Sequence, residues 1–257
     1  MVLDPRTPVL VGVGQLTDRP AERNGASPPE PLGLMVQAAR AAIQDAGGTS
    51  SRLLASIGSI RVVRSLQWNV PDPGALVAEQ LGIAPRESVH SAVGGNTPQA
   101  LMADTCVAIQ AGRLDAAIVV GAECGYARAS ARRAGEWLEW TAQDPNTPPA
   151  TPFGEDKAPV TELEAARGLM APVHVYPLIE NAIRMSAGWT LSEHRERIGA
   201  LWSRFSEVAS TNPYAWSQTA LSSEEIVLAH PKNRMIGFPY PKLCTANIQV
   251  DQGGALV

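Results

Sequence analysis

The sequence predicts an α/β protein, a mostly parallel sheet with helices on both faces. Strand-length apolar runs recur at residues 9–14, 57–63, 89–93 and 116–120. Helix-length stretches with apolar stripes alternate with them. That alternation is the mark of crossover connections between parallel strands. The 257 residues are enough to bury a real core, as one large domain or one domain with an elaborated insertion.

Taken in order, Val9-Leu10-Val11-Gly12-Val13-Gly14 is continuously apolar and reads as a central strand. Residues 19–31, rich in Pro, Gly, Ser and Glu, read as a surface loop. A helix follows over 32–46, with Leu34, Val36, Ala39, Ile43 and Ala46 on its apolar stripe and Gly47-Gly48 as its stop. Residues 57–63 make the second strand. A short helix over 73–81 stops at Gly82. The third strand is 89–93. Thr97 is expected to cap the next helix, with Pro98 in the first turn, where a missing N–H costs nothing. That helix runs to about Ala111 and stops at Gly112, and its Ala-rich pattern suits burial from several sides. Residues 116–120 form the fourth strand.

Around Cys124 the rhythm breaks. Residues 137–159 are polar and Pro-rich, and helices follow over 171–186 and 191–210. The second has Ser192 near its start and Ile198, Leu201, Phe205 and Val208 on one face, and Asn212-Pro213 stops it. Residues 123–239 therefore read as a mainly helical insertion within a single domain of 1–257. Residues 242–248 and 254–257 resume the strand pattern. Gly254-Ala255-Leu256-Val257 reads as the opening of an apolar strand, so a truncated chain is expected. Unpaired backbone and exposed apolar side chains both cost. A short strand that docks fully is the alternative.

Composition narrows the function. A formal charge of −4, from 21 basic and 25 acidic residues, gives no reason to expect a nucleic-acid partner. A local basic pocket for a phosphorylated ligand remains open. The cysteines, Cys106, Cys124 and Cys244, are an odd, sparse set that fits a reducing compartment. There is no Cys-x-x-Cys pair, and His90, His174, His194 and His230 have no metal spacing, so no metal site is expected. The opening Met1-Val2-Leu3-Asp4-Pro5-Arg6 has no secretory pattern, and the apolar run 9–13 is far short of a membrane span. The expected location is cytoplasmic.

The turn Gly94-Gly95-Asn96-Thr97-Pro98 is the chemical focus. A turn that opens a helix from a strand end presents orphan N–H groups and the positive end of the helix. Here it offers two glycines, an amide and a hydroxyl, and no cysteine. Two readings stay open. One is an oxyanion- or thioester-binding turn. The other is a tight turn whose glycines let helix and sheet approach closely. Thr97 without a nearby base is a poor nucleophile. Cys106, deep in the helix, lacks the field that lowers a thiol pKa and reads as packing. Cys124 follows a strand end, where parallel sheets bind ligands, and reads as packing or a minor lining residue. Cys244 reads as a core residue inside a strand. His90 lies in or beside the third strand, and His174 is a surface or pocket residue. Trp137, Trp140, Trp189, Trp202 and Trp216 fall in the insertion, where they cover an acyl tunnel or anchor packing. Trp68 is a candidate subunit contact.

Three segments carry a family resemblance: Gly94-Gly95-Asn96-Thr97-Pro98-Gln99-Ala100-Leu101-Met102-Ala103, Ile109-Gln110-Ala111-Gly112-Arg113-Leu114-Asp115 and Val119-Val120-Gly121-Ala122-Glu123. Val11-Gly12-Val13-Gly14, Asn212-Pro213-Tyr214-Ala215-Trp216 and Asp251-Gln252-Gly253-Gly254-Ala255 support them. Together they resemble the N-terminal half of a thiolase, of the sterol-carrier type often named acetyl-CoA acetyltransferase, or of its thiolase-like relatives. The resemblance covers most of 1–257 and implies a half built on a five-stranded mixed sheet in the order 3-2-1-4-5, without the second half. The family's nucleophilic cysteine opens the helix after the third strand, which here falls near Gly94 or Gly95. Its catalytic histidines and second cysteine belong to the missing half, so no catalytic residue is assigned.

By the same resemblance the insertion helps to hold the CoA nucleotide, which makes Arg128, Arg132, Arg133 and Lys157 candidates. The resulting site set is Gly94, Gly95, Asn96, Thr97 and Arg132. A coenzyme A thioester is the implied substrate or ligand, with no tightly bound cofactor. The implied partners are acyl-CoA and either a second copy or a chain carrying the C-terminal half. Two functions compete: a lipid-metabolism enzyme performing acyl transfer or C–C cleavage on a CoA thioester, and a non-catalytic CoA-thioester-binding or scaffolding subunit. A different doubly wound, nucleotide-binding fold is the alternative architecture. Against it, Val11-Gly12-Val13-Gly14-Gln15 lacks a third glycine and opens no helix.

Overall fold

Glycines decide how the first strand meets the first helix. In the computed structural model, which describes residues 4–47 and 51–257, strand β1 (Val13–Thr17) lies flush against helix α1 (Pro31–Asp45). A Cβ added at Gly14 would stand 2.0 Å from the Ala38 carbonyl oxygen, and one at Gly12 would stand 2.1 Å from that of Ala42. Only glycine permits that contact. The alternating valines point the other way, and Val9, Val11 and Val13 are exposed. Residues 9–14 are therefore not a central strand. Their small residues, not their large ones, face the helix. Gly48, expected in the stop of α1, and Met1, Val2 and Leu3 of the opening segment lie outside the described residues.

The chain continues through α2 (Ser51–Ser56), β2 (Ile57–Val62), α3 (Pro73–Leu81), β3 (Glu87–Ser91), α4 (Thr97–Gln110), β4 (Ala116–Cys124), α5 (Gly125–Ala134) and β5 (Thr151–Phe153). The short helix expected over 73–81, with its stop at Gly82, is α3. Asp72 caps it by accepting the Ala75 N–H, Pro73 opens it, and Gly82 ends it in the left-handed region. After α6 (Glu162–Ala166), α7 (Pro172–Ser186), α8 (Leu191–Thr211), α9 (Ser223–Val227) and the small pair β6 (Met235–Gly237) and β7 (Tyr240–Pro241), strand β8 (Asp251–Leu256) returns to the sheet.

The main sheet has six strands in the order β1-β8-β4-β2-β3-β5. The pairs β2/β3, β2/β4 and β3/β5 are parallel, whereas β8 is antiparallel to both β1 and β4. The expected mixed α/β sheet is present. The expected five strands and the order 3-2-1-4-5 are corrected. β8 takes the hydrogen-bonding edge of β4 that a central first strand would need, so β1 is pushed to the edge. At the opposite edge the Pro-rich stretch contributes β5, where Pro152 needs to donate no ladder bond.

One face of the sheet buries Ile60, Val62, Ile118 and Val120 against α1 and Val77 of α3. On the other, Leu101 of α4 packs on Val89 and Val119, and buried Arg61 of β2 reaches Asp104 of α4 at 2.5 Å and Glu87 at 3.2 Å. Helix α4 is not buried from several sides. Only Thr97, Leu101, Thr105 and Ala108 are buried, one stripe at helical spacing, and Val107 is exposed.

The chain divides into two compact units, the first running to Lys157 and including Gln249–Val257, the second Ala158–Ile248. Residues 123–157, which the sequence places in the insertion, carry α5 and β5 and lie in the first unit. In the second unit three helices start with capping boxes: Thr161 with Glu164, Thr190 with Glu193, and Ser222 with Glu225. Its core is Ile198, Ile226 and Cys244, with Trp202, Leu221 and Tyr240 packed around them. Of the expected apolar face of α8 only Ile198 is buried; Leu201, Phe205 and Val208 are exposed. Residues 242–248 form no strand, and Cys244 ends a single helical turn, Lys242–Cys244. No helix among the described residues is long and apolar enough to cross a membrane.

Candidate functional site

The turn before α4 is anchored from both sides. The Ala92 N–H donates to the Phe153 carbonyl at 2.7 Å, and the Val93 N–H donates to the Asp156 carboxylate at 2.7 Å. Within the turn, both the N–H and the hydroxyl of Thr97 donate to the Gly94 carbonyl, at 3.1 and 2.8 Å. Thr97 is thus the first helical residue and not the cap. The cap position is Asn96, with a helical backbone and no side-chain capping bond. The Thr97 hydroxyl is committed to stabilising the turn.

The two glycines differ. At Gly94 an added Cβ would meet the Asn96 Oδ1 at 3.0 Å, a tight but movable neighbour. At Gly95 it would meet nothing within 4 Å. Neither is among the glycines with positive φ. Close approach of helix and sheet therefore gives no reason for glycine at position 95. Gly95 and Asn96 are exposed at the N-terminal end of α4, where peptide N–H groups and the helix dipole favour a partial negative charge.

The thiols are placed for packing. Cys124 is fully buried, and burial, reinforced by the charges of Asp251 and Glu123, pushes its thiol far above the ordinary range. Burial, with Glu180 nearby, pushes Cys244 up to about 11. Cys106 is half-buried on α4 and lines an apolar groove of about 360 Å³ with Val9, Val11, Met102, Ile109 and Leu256. A thiol is a nucleophile as its thiolate, which burial opposes.

Two carboxylates organise the end of β4. Glu123 accepts the Ser65 hydroxyl at 2.9 Å and the Leu66 N–H at 2.6 Å. Asp251, fully buried at the start of β8, accepts the Tyr126 and Ala127 N–H groups at 2.9 and 3.0 Å and pairs with Arg23 at 2.5 Å. Arg23 also pairs with Asp18. Burial raises the Asp251 carboxyl above its ordinary range, against the opposing pull of these bonds. Asp251 thus caps α5 and ties it to β8 and to Arg23. The Asp251-Gln252-Gly253-Gly254-Ala255 motif marked the position, but nothing local to it pointed to Arg23.

Arg132 sits elsewhere. With Arg128 one turn earlier on α5, it lines a cavity of about 550 Å³ together with Gln67, Trp137, Leu138 and Trp140. None of residues 94–97 lines that cavity, so the five candidate residues do not share one pocket. Arg128 donates to the Gln67 carbonyl at 3.2 Å. Arg133 turns away, to the Tyr126 ring and Gln249, and Lys157 is exposed at the end of the first unit's long segment. Trp137 is 89% exposed. Trp68 is buried and donates its indole N–H to the Thr141 carbonyl at 2.7 Å, so it is a core residue of this unit and not a subunit contact. In the second unit Trp189 is stacked on His194 and carries the Arg197 guanidinium 4.0 Å above its ring. His174 is exposed. Among the described residues no group of three or more His, Cys, Asp or Glu is placed to hold a metal ion.

A solved structure described as a monomeric SCP2-thiolase like protein type 1 from Mycobacterium smegmatis matches 99% of this chain at a TM-score of 0.75 and 30% identity. The chain has a thiolase-superfamily fold. It spans 46% of that protein's length and so corresponds to a single thiolase-fold half. An Ltp2-ChsH2(DUF35) aldolase structure matches 96% of this chain and 54% of its own at a TM-score of 0.61 and 19% identity, a likeness of fold alone. No family model and no curated protein matches the chain. In this thiolase-fold half, the turn that leads from the third strand into the next helix is glycine, glycine and asparagine, and the helix opens on Thr97.

Proposed function

We propose that this chain is a non-catalytic CoA-thioester-binding or scaffolding half of a thiolase-like assembly. The observation that carries the reading is the start of α4. Gly95 is open and unstrained, yet no nucleophilic side chain stands there, and the Thr97 hydroxyl is bonded to the Gly94 carbonyl. A thioester carbonyl placed against the exposed N–H groups of this turn is polarised but not attacked. Buried Cys124 and Cys244 do not replace the missing group. Arg132 and Arg128 are the cations offered to the phosphates of the CoA nucleotide, on a separate surface of the same unit.

In this reading residues 1–257 are one thiolase half, and the helical body Ala158–Ile248 is its insertion. The related M. smegmatis protein is described as monomeric and carries about twice this length in one chain. The present half is then completed by a second copy or by a chain carrying the other half.

The test is acetyl-CoA binding by calorimetry, with intact-mass analysis and free-CoA release measured on the same samples. Binding without an adduct and without CoA release is expected, together with at least tenfold weaker binding in Gly95→Trp and in Arg132→Glu. An acyl adduct on Cys106 or Cys124, or turnover by the wild-type chain, restores the enzyme reading. No binding at millimolar acetyl-CoA removes both.

A further inference from the structure

We propose that the cavity at the carboxyl ends of β2 and β3, walled by Arg64, Asn69 and His90, binds a small monocarboxylate with a short apolar body. The place is one that parallel strands favour, since ligands lie in the crevice beyond their carboxyl ends. The cavity is about 330 Å³, the lower end of ligand-sized pockets. Its remaining walls are apolar, formed by Val70, Pro149 and Pro152 among others.

The polar groups are arranged for one negative charge. The Arg64 backbone is held by its N–H donating to the Ser91 hydroxyl at 3.0 Å. Its guanidinium is half-buried and only loosely engaged: Nη1 stands 3.6 Å from Asp156, longer than a hydrogen bond. The other Asp156 oxygen is occupied by the Val93 N–H. A guanidinium offers a planar fork of donors that matches a carboxylate bidentately. Asn69 is exposed at the mouth and adds amide donors. The charged groups that act on His90 are Arg64, Asp72 and Asp156. Asp72 is already committed, accepting the Ser88 hydroxyl at 2.6 Å and the Ala75 N–H at 2.8 Å. With Asp156 beside the guanidinium and Asp72 acting on His90, a dianion such as phosphate meets repulsion that a monocarboxylate meets less. The proline and valine walls suit a few carbon atoms and exclude a large polar head.

His90 supplies the readout. Burial, and then Arg64, hold its imidazole below the ordinary value. A carboxylate seated on Arg64 offsets the guanidinium charge and raises the His90 pKa.

The experiment is an NMR titration of the histidine ring protons with butyrate, the His90 signal being assigned by its loss in His90→Asn. The expected result is a saturable change confined to His90, with its titration moved to higher pH when butyrate is bound. Arg64→Gln should weaken butyrate at least tenfold. If that variant does not fold, Asn69→Leu, at an exposed position, should weaken it severalfold. No saturable change at millimolar butyrate, an unchanged affinity in the folded variant, or inorganic phosphate competing as well as butyrate each overturns the proposal. None of residues 94–97 and none of the residues that line the Arg132 cavity lines this site, so its failure leaves the CoA-thioester reading standing.

Discussion

Gly12 and Gly14 show how little a residue's apolar character says about which way it faces. The pattern Val-Gly-Val-Gly places glycine against the carbonyls of α1 and leaves valine outside. Gly14→Ala forces a methyl group into backbone that cannot rotate away. It is expected to cost about 3 kcal/mol, read as a lowered urea midpoint with an unchanged slope. Asp251→Ala leaves the Arg23 guanidinium, deep against the sheet, with Asp18 alone, and frees two N–H groups of α5. Breaking such a pair costs about 3 to 5 kcal/mol, and a loss below about 1 kcal/mol would show that the strut is dispensable. The thiols divide by access: iodoacetamide at pH 8 should label Cys106, which is half-buried in its groove, and leave Cys124 and Cys244 intact in the folded protein. Prompt labelling of Cys124 would contradict its burial.

At the scale of elements, helices of the second unit depend on their first turns. The Glu193 carboxylate accepts both the N–H and the hydroxyl of Thr190, which holds it below the ordinary carboxylate range, as happens at Glu164 and Glu225. A carboxyl whose folded pKa is depressed contributes stability above its unfolded value and loses it as pH falls through the folded value. Thr190→Ala should therefore lower stability by about 1 kcal/mol near neutral pH. The difference should narrow on acidification, below the ordinary carboxylate range. A constant difference down to acid pH would mean that the reciprocal Glu193 contact contributes nothing. His90 works with the same sign. Its depressed pKa adds stability at neutral pH that is lost as pH falls through its ordinary range toward the lowered value. The strand ends that carry Arg64 and His90 are thus an acid-sensitive part of the sheet, with Asp72 and Asp156 the opposing charges.

Over the whole molecule, the legible parts were those whose signals lie within a few residues. The limits of α3 follow from Pro73 and Gly82, and the start of α4 from the glycine turn and Pro98. The position of β1 was not legible, because it depends on β8 pairing between β1 and β4 from far along the chain. The candidate site divides the same way. The glycine turn is visible as a motif. The cavity of Arg64 and His90 exists only through the register of β2 on β3 and the arrival of the Pro-rich stretch as β5. The division into two units has its own test. Lys157 is exposed beside the boundary at Ala158. Limited trypsin digestion should cut there before it cuts within α1 or α8, and early cleavage inside α8 would argue against a folded second unit.

The placement of β8 also has a consequence for the newborn chain. Within the sheet β1 reaches β4 through β8, and the whole of Ala158–Ile248 must be translated before β8 exists. At a ribosomal pace of about 5 to 20 residues per second, β1 waits on the order of tens of seconds with its partner unmade. During that time Val9, Val11 and Val13 have no sheet edge to settle on, and the half-built sheet presents the unpaired edge of β4 to its surroundings. The second unit, whose helices carry their own local start signals, is free to fold while the first cannot close.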